Sequence, residues 1–230
     1  ERGVTNVANA LAAIGHLVFE RGRRTLGELR DAVANGDEAV TRAIASAPKW
    51  GNDDDRADRW MQRLLDRRVE ALRRVEGELG LPRHLPCHVV RSLHHVDRDL
   101  PAVPDGRRTG EPLADSLGPT AGTAAIGPTA ALNSMLKLDP PRHYPGGYNL
   151  NLTLSPAGAS PATLQPLIEA FFGEGGQELQ VSMLDVATLR AAREQPDRYR
   201  DLVVRIAGFN AVWVKLSAAE QEELLARAEA

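Results

Sequence analysis

Cysteine is almost absent from this sequence: Cys87 is the single one among 230 residues. One cysteine cannot form an internal disulfide, which excludes a secreted scaffold held together by disulfide bonds. We therefore expect a reducing compartment, and the cytoplasm is the default prediction.

A strong net charge and a long apolar run are also lacking. The chain has 28 basic and 31 acidic side chains, a formal net charge of -3, so no field of one sign is present to hold nucleic acid or an acidic membrane surface. The longest apolar stretch near the start, residues 4–19, is interrupted by Asn6, Asn9 and His16, so it is neither a membrane span nor a signal peptide. With 43% hydrophobic residues, the chain is predicted to be globular, with no nucleic-acid or membrane partner.

The start of the chain lacks an initiator methionine, and a helical pattern begins almost at once. We therefore expect a piece of a longer gene product. Apolar residues spaced by three and four predict a helix with one buried face. These residues are Val4, Val7, Leu11, Ile14 and Val18.

Capping signals predict further helices in the first third of the chain. A capping box at residues 25–28 opens a second helix that Gly36 ends, and a short third helix runs to about Ser46. After a loop at residues 47–55, a long charged helix extends to Leu79, with its arginines on a solvated face. The loop ends in Asp53-Asp54-Asp55, which is predicted to cap this helix, because the ligand pattern of a calcium loop is missing.

Residues 80–138 are predicted to be irregular, since they are rich in proline and glycine, with one strand-like run at residues 89–93. A long irregular stretch usually surrounds something functional. Its potential metal ligands lack the spacing of a zinc site, so no metal site is predicted. They are Cys87, His88, His94 and His95.

The second half alternates strands and helices, which predicts an α/β fold with parallel strand pairing. A strand is indicated near residues 148–155, where leucines alternate with Asn149, Asn151 and Thr153. Ser160 caps the helix that follows. A second strand at 178–184, a helix at 186–194, an apolar run at 202–206 and a final helix opened by a capping box at 217–220 complete the pattern.

The apolar run leads into Arg205-Ile206-Ala207-Gly208-Phe209. This segment resembles the radical loop of glycyl radical enzymes, in which an arginine and two small or apolar residues precede the radical glycine and an aromatic residue follows it. Three further segments resemble the same family in the same order, at residues 6–14, 47–55 and 104–134. The chain is therefore identified as resembling the carboxy-terminal part of a pyruvate formate-lyase-like glycyl radical enzyme.

The resemblance implies that Gly208 stores the radical, with Arg205, Ile206, Ala207 and Phe209 supporting the loop. Glycine suits this role because an α-carbon radical is stabilised when the carbon is planar and conjugated between amide nitrogen and carbonyl, which a side chain would hinder. On its residues alone, Arg205 could equally be a surface ion-pair residue.

The resemblance also implies a fold and partners. The fold is part of a ten-stranded α/β barrel with the radical loop inserted into the barrel core, divided into a barrel portion at 1–135 and a glycyl radical domain at 136–230. No cofactor is bound permanently; a radical S-adenosylmethionine activase with a 4Fe-4S cluster installs the radical, and the complete enzyme is a homodimer acting on a small organic substrate. Asn149, Asn151 and Thr153 either line the barrel or form a satisfied hydrogen-bond ladder.

Departures from the family pattern limit the functional prediction. Phe209 stands where many members have tyrosine, and Ala207 stands where pyruvate-cleaving members have serine, which favours a relative that cleaves C–C, C–O or C–N bonds in another substrate. The flanks of Cys87 do not resemble the family's thiyl-cysteine loop, so that cysteine is expected outside this chain. The alternative is a stand-alone glycyl-radical subunit, or a non-catalytic binding module, that docks onto a separate cysteine-bearing chain.

Overall fold

The computed structural model describes residues 3–80, 97, 99–114, 116–120, 122–154, 159–183, 185–206 and 210–229. The helices are α1 (Val4–Ile14), α2 (Leu26–Ala34), α3 (Glu38–Ala45), α4 (Asp55–Leu79), α5 (Pro128–Leu136), α6 (Pro140–His143), α7 (Pro161–Gly173), α8 (Val186–Glu194) and α9 (Ala218–Glu229). The strands are β1 (Leu150–Leu154), β2 (Leu179–Met183), β3 (Val203–Arg205) and β4 (Asn210–Val212). In this part of the chain, no helix combines the length and apolarity that a membrane span requires.

Helix α1 forms as predicted, and Val4, Ile14 and Val18 of its expected face pack against core clusters, but the prediction that Val7 is buried is wrong. Val7 is 47% exposed, whereas Asn6 and Asn9 are buried together with Ala8 and Ala12. The asparagine amides are buried because distant loops supply their hydrogen-bond partners, so pairing outweighs the apolar pattern. A π-helical segment, Gly15–Glu20, continues the helix.

The predicted caps of the early helices are confirmed. Thr25 and Glu28 form a reciprocal capping box at the start of α2, and Asp54 caps α4 by accepting a hydrogen bond from the Arg56 N–H. Gly36 follows α2 with a φ of 69°, in the left-handed region that glycine adopts without strain. These signals are local, which is why the sequence alone locates them.

Helix α4 packs its apolar face inward and exposes most of its arginines, as predicted. Arg68 is the exception. Its guanidinium carbon lies 4.1 Å from the centroid of the Tyr144 ring, and its Nη2 donates to the His143 carbonyl oxygen. Arg68 therefore joins α4 to α6 rather than remaining solvated.

The segment before residue 138 is more regular than predicted, because it contains α5. Pro128 occupies the first turn of this helix, and Ala131, Leu132 and Met135 are buried. A proline at the first turn followed by apolar residues at helical spacing is the sequence signal for this helix. The strand-like run predicted at 89–93 lies outside the described residues.

The described strands form two small sheets. β1 and β2 pair in parallel, with Leu150 opposite Leu179 and Asn151 opposite Gln180, which confirms the predicted pairing and the strand prediction. β3 instead pairs antiparallel with β4, which directly follows it. Two strands joined by so short a connection form a hairpin, because a parallel pair requires a long crossover.

Within the described ranges, buried apolar side chains form three clusters. The largest packs Trp50, Tyr144, Tyr148 and Phe171 with residues of α1, α4, α5 and β1. A second surrounds the β3–β4 hairpin and includes Trp213, and a third joins the end of α1 to α2 and α3.

Candidate functional site

The β3–β4 hairpin carries the predicted radical loop. Its register pairs Val203 with Val212, Val204 with Ala211, and Arg205 with Asn210. Residues 206–209 therefore connect the two strands. Ile206 is described and buried, whereas the predicted site residues Ala207, Gly208 and Phe209 lie outside the described residues.

The base of the hairpin is anchored in the second apolar cluster. Val204, Ile206 and Trp213 are buried there against Leu189 of α8 and Leu224 of α9. The backbone N–H of Trp213 donates to the Leu202 carbonyl oxygen at 2.8 Å. Strands as short as β3 and β4 have little stability of their own, so this packing stabilises the base of the hairpin.

Arg205 extends from the end of β3 to two amide oxygens. Its Nη1 donates to Asn210 Oδ1 at 3.4 Å, and its Nη2 donates to Gln180 Oε1 at 3.3 Å. Among the described residues, no carboxylate lies within ion-pair distance of Arg205. The guanidinium thus links β4 on one side and β2 on the other, immediately before the connection that contains Gly208.

A polar row extends from this point along the β1–β2 sheet. Gln180 lies opposite Asn151, and Asn149 Nδ2 donates to Asn151 Oδ1 at 3.4 Å. The Ser116 hydroxyl donates to the backbone carbonyl oxygen of Asn149 at 2.6 Å and also contacts Asn149 Oδ1. The Nδ2 atom of Asn151 is buried and has no partner among the described residues.

Thr153 is described only through its backbone, which pairs with Ser182. Ser116 has a φ of 56°, a left-handed conformation that is strained for a residue with a side chain. Its buried contacts with Asn149 stabilise that conformation. Sequence reasoning singled out neither Ser116 nor Gln180; only the alternating pattern around residue 180 hinted at the latter.

Helix α1 brings the other family-like segments together. Asn6 Nδ2 donates to Asp105 Oδ2 at 2.5 Å, and Asn6 Oδ1 accepts from the Ala114 N–H at 2.9 Å. Asn9 Oδ1 accepts a hydrogen bond from the backbone N–H of Trp50 at 2.8 Å. The segments 6–14, 47–55 and 104–134, which are far apart in sequence, therefore meet at the buried side of one helix.

Lys137 forms ion pairs with three acidic residues at the start of α4. Lys137 Nζ lies 2.7 Å from Asp53, 2.8 Å from Asp55 and 2.7 Å from Asp58. Burial raises the pKa of Asp58 despite hydrogen bonds from Lys137 and Ser134, which act to lower it. Burial alone would lower the pKa of Lys137, but its hydrogen bonds to the three carboxylates outweigh that effect and raise it. The sequence predicted the cap but not this lysine.

No group of histidine, cysteine and acidic side chains suited to a metal ion occurs in the described ranges. The candidate ligands Cys87, His88, His94 and His95 lie outside those ranges.

Two protein families match this chain. The pyruvate formate lyase-like family matches residues 1–84, and the glycine radical family matches residues 113–214, which include the hairpin. The chain belongs to the glycyl radical enzymes of the pyruvate formate-lyase-like type and corresponds to their carboxy-terminal portion.

Similar proteins catalyse different reactions according to their names. The chain is 34% identical over 244 residues to the probable dehydratase YbiW of Escherichia coli K12, with 99% of the chain and 30% of the relative covered. It is 30% identical over 269 residues to an indoleacetate decarboxylase of Tractidigestivibacter scatoligenes, with 100% of the chain and 29% of the relative covered.

Solved structures of similar proteins match nearly the whole of this chain. The B12-independent glycerol dehydratase of Clostridium butyricum matches with a TM-score of 0.84 at 29% identity, over 98% of this chain and 29% of that one. A Roseburia inulinivorans structure concerned with 1,2-propanediol dehydration matches with a TM-score of 0.85 at 30% identity, over 98% of this chain and 30% of that one. The chain thus spans about 30% of the length of the relatives it matches.

Proposed function

We propose that Gly208 is the radical-storing residue of a glycyl radical enzyme. The observation that carries the proposal is the hairpin register. Arg205 and Asn210 form its last described pair, so Gly208 belongs to the short connection between β3 and β4. That connection lies within residues 113–214, the range matched by the glycine radical family.

The residue type suits the chemistry. Loss of a hydrogen atom from the glycine α-carbon leaves a radical that is delocalised over the adjoining amide nitrogen and carbonyl when the backbone is planar there. A side chain would oppose that planarity, and glycine has none. Arg205 and the buried Ile206 hold the strand that enters the loop.

Hydrogen-atom transfers then balance over the catalytic cycle. A radical S-adenosylmethionine activase with a 4Fe-4S cluster would remove one hydrogen atom from Gly208; one electron from a reductant cleaves S-adenosylmethionine, and its adenosyl group carries the hydrogen atom away. The glycyl radical takes a hydrogen atom from a cysteine thiol in the remainder of the enzyme, on the same or a separate polypeptide, which restores the glycine and leaves a thiyl. The thiyl takes a hydrogen atom from the substrate and becomes a thiol. This thiol returns a hydrogen atom to the product radical, which regenerates the thiyl, and the thiyl can then take a hydrogen atom back from Gly208.

The proposed surroundings follow the family barrel. Residues 1–135 contribute part of the ten-stranded barrel, and residues 136–230 form the glycyl radical domain whose loop enters the barrel core. Asn149, Asn151 and Thr153 face the barrel interior in this proposal. Enclosure would exclude water and oxygen from the radical.

The substrate is proposed only as a small organic molecule whose C–C, C–O or C–N bond is cleaved after hydrogen abstraction. The named activities of relatives include dehydration, decarboxylation and sulfite elimination, at similar identities of 34%, 30% and 33%. Hydrogen abstraction by a thiyl is the step that these reactions would share.

Electron paramagnetic resonance tests the proposal. The complete enzyme is incubated anaerobically with its activase, S-adenosylmethionine and a reductant, and we expect a doublet from coupling to the one remaining α-hydrogen. The Gly208→Ala variant should lack the doublet. Gly77→Ala is the matched control, because an added methyl group there meets no atom within 4 Å. A doublet that persists in Gly208→Ala would disprove the assignment.

A further inference from the structure

Gln180 connects the sheet to the radical hairpin. It lies on β2 and is 7% exposed, and its strand partner on β1 is Asn151. Its Oε1 accepts a hydrogen bond from Arg205 Nη2 at 3.3 Å. A buried amide that faces a guanidinium contributes a directional contact, because its oxygen must point at the N–H group to be satisfied.

Arg205 makes two contacts with different consequences. The bond to Asn210 lies within the hairpin and joins β3 to β4. The bond to Gln180 instead joins the hairpin to a separate sheet. Of these two bonds, the one to Gln180 therefore ties the end of β3 to the β1–β2 sheet, while the one to Asn210 stays within the hairpin.

We propose that Gln180 is a positioning residue for Gly208, acting through Arg205; the proposal rests on the radical function of Gly208. Arg205 precedes Gly208 by two intervening residues, so a displacement of its guanidinium shifts the entry of the loop. Hydrogen-atom transfer requires the donor and acceptor atoms to be close. A displacement of about 1 Å in a reacting group costs roughly 100-fold in rate.

The neutral amide also explains why a glutamine fits this position. Arg205 has no carboxylate partner among the described residues, and its Nη1 and Nη2 atoms each donate to an amide oxygen. Replacement by Gln180→Glu keeps an acceptor at the same reach. Gln180→Met keeps the length of the side chain but removes the acceptor, and Gln180→Asn keeps the amide but shortens its reach by one methylene group.

Deuterium exchange measures the transfer without a known substrate. Thiol hydrogens exchange with solvent, so reversible transfer between Gly208 and the cysteine in D2O places deuterium on the glycine α-carbon. The hydrogen doublet then collapses to a single broad line. The rate of this collapse for each radical reports the transfer itself and is independent of how many molecules were activated.

We expect the collapse in the complete activated enzyme to slow at least 10-fold in Gln180→Met and Gln180→Asn. It should remain within about threefold of the parent rate in Gln180→Glu. Gln165→Met is the matched control, because Gln165 is exposed on α7 and, among the described residues, its side chain bonds only to Glu169. This control should exchange at the parent rate.

The outcomes separate the two proposals. If the parent enzyme gives no glycine-centred doublet, the radical assignment fails and the role of Gln180 fails with it. If the doublet forms but collapses at the parent rate in both Gln180→Met and Gln180→Asn, or does not collapse in the parent enzyme, only the positioning role is overturned. Gln180→Asn retains a polar side chain, so it keeps the test decisive if Gln180→Met does not fold.

Discussion

Lys137 Nζ lies 2.7 Å from the carboxylate of Asp58, whose side chain is 1% exposed. This contact joins the residue after α5 to the first turns of α4. Ser134 donates to Asp58 Oδ1 at 3.0 Å and accepts from the backbone N–H of Asp53 at 3.0 Å, so the family-like segments 47–55 and 104–134 are also joined here. The charges therefore contribute to holding the end of α5 against the start of α4.

Lys137→Met should lower the free energy of unfolding by about 3 kcal/mol at neutral pH, because it leaves the Asp58 carboxylate buried without its cation. Burial already raises the pKa of Asp58, so the loss should shrink as the pH falls and the carboxyl group takes up a proton. Chemical unfolding at pH 7 and in mild acid measures the difference. Lys137→Arg keeps a cation and should lose less; equal losses in both variants would contradict this explanation.

The burial of Lys49 should make the unfolding free energy depend on pH in the alkaline range. Its ammonium group is buried and donates to the Ile44 carbonyl oxygen at 2.6 Å, and burial lowers its pKa from 10.5 to about 8 despite the nearby Asp105. The unfolded chain therefore binds more protons between these values, so stability rises with pH across that window. Below about pH 8 the lysine is charged in both states, and the full cost of burying the charge applies.

The comparison with Lys49→Met isolates this effect. Relative to the variant, the parent chain should gain up to about 3 kcal/mol of unfolding free energy as the pH rises through the window. Denaturant titrations at several pH values provide the measurement. A difference between the two proteins that stays constant with pH would show that Lys49 titrates normally.

Gly51 has a φ of +91°, and an added Cβ would lie 2.4 Å from Pro119 Cγ. Gly51→Ala should therefore cost about 3 kcal/mol or more, because backbone strain and overpacking add. Gly36 has a φ of +69° with open space around it, so Gly36→Ala should cost only about 1 kcal/mol. Thermal unfolding of the two variants compares them directly, and similar losses would contradict the close approach of Pro119.

Asn9→Leu tests the polar buried face of α1. The substitution removes the acceptor for the Trp50 N–H and the donor to Thr120, which leaves buried polar groups unpaired. A loss of about 2 kcal/mol is expected. Val7→Ala serves as the control and should change stability by less than about 0.5 kcal/mol, since Val7 is largely exposed. A larger loss of stability in Val7→Ala than in Asn9→Leu would instead support the apolar buried face that the residue spacing predicts.

Local signals made much of the fold predictable. The capping boxes, the leucine alternation of β1 and the bounds of α8 depend on residues a few positions apart, and the sequence displays them directly. Strands β3 and β4 were harder, because each has only three residues and shows little alternation. The pairing of β3 with β4 therefore came from the structure.

The site was harder to predict from the sequence than the fold, because its residues pair across long sequence separations. The radical glycine was inferred from the family pattern around Arg205, but Gln180 is 25 positions away from Arg205 and carries no motif of its own. Ser116 and Lys137 were missed for the same reason, since their roles depend on partners that only the folded chain brings close. Gly208 itself lies beyond the described residues, so its assignment stays a prediction.

The hydrogen bonds of α1 also bear on how fast the chain folds. The side-chain bonds from Thr5, Asn6 and Asn9 to Gly118, Asp105 and Thr120 join the helix to residues 99 to 113 positions further along the sequence. Contacts of such separation form late, because closing a long loop costs entropy before any bond repays it. The loops that meet at α1 should therefore acquire protection from hydrogen exchange only in a slow final phase, after α4 has provided a surface for the helix.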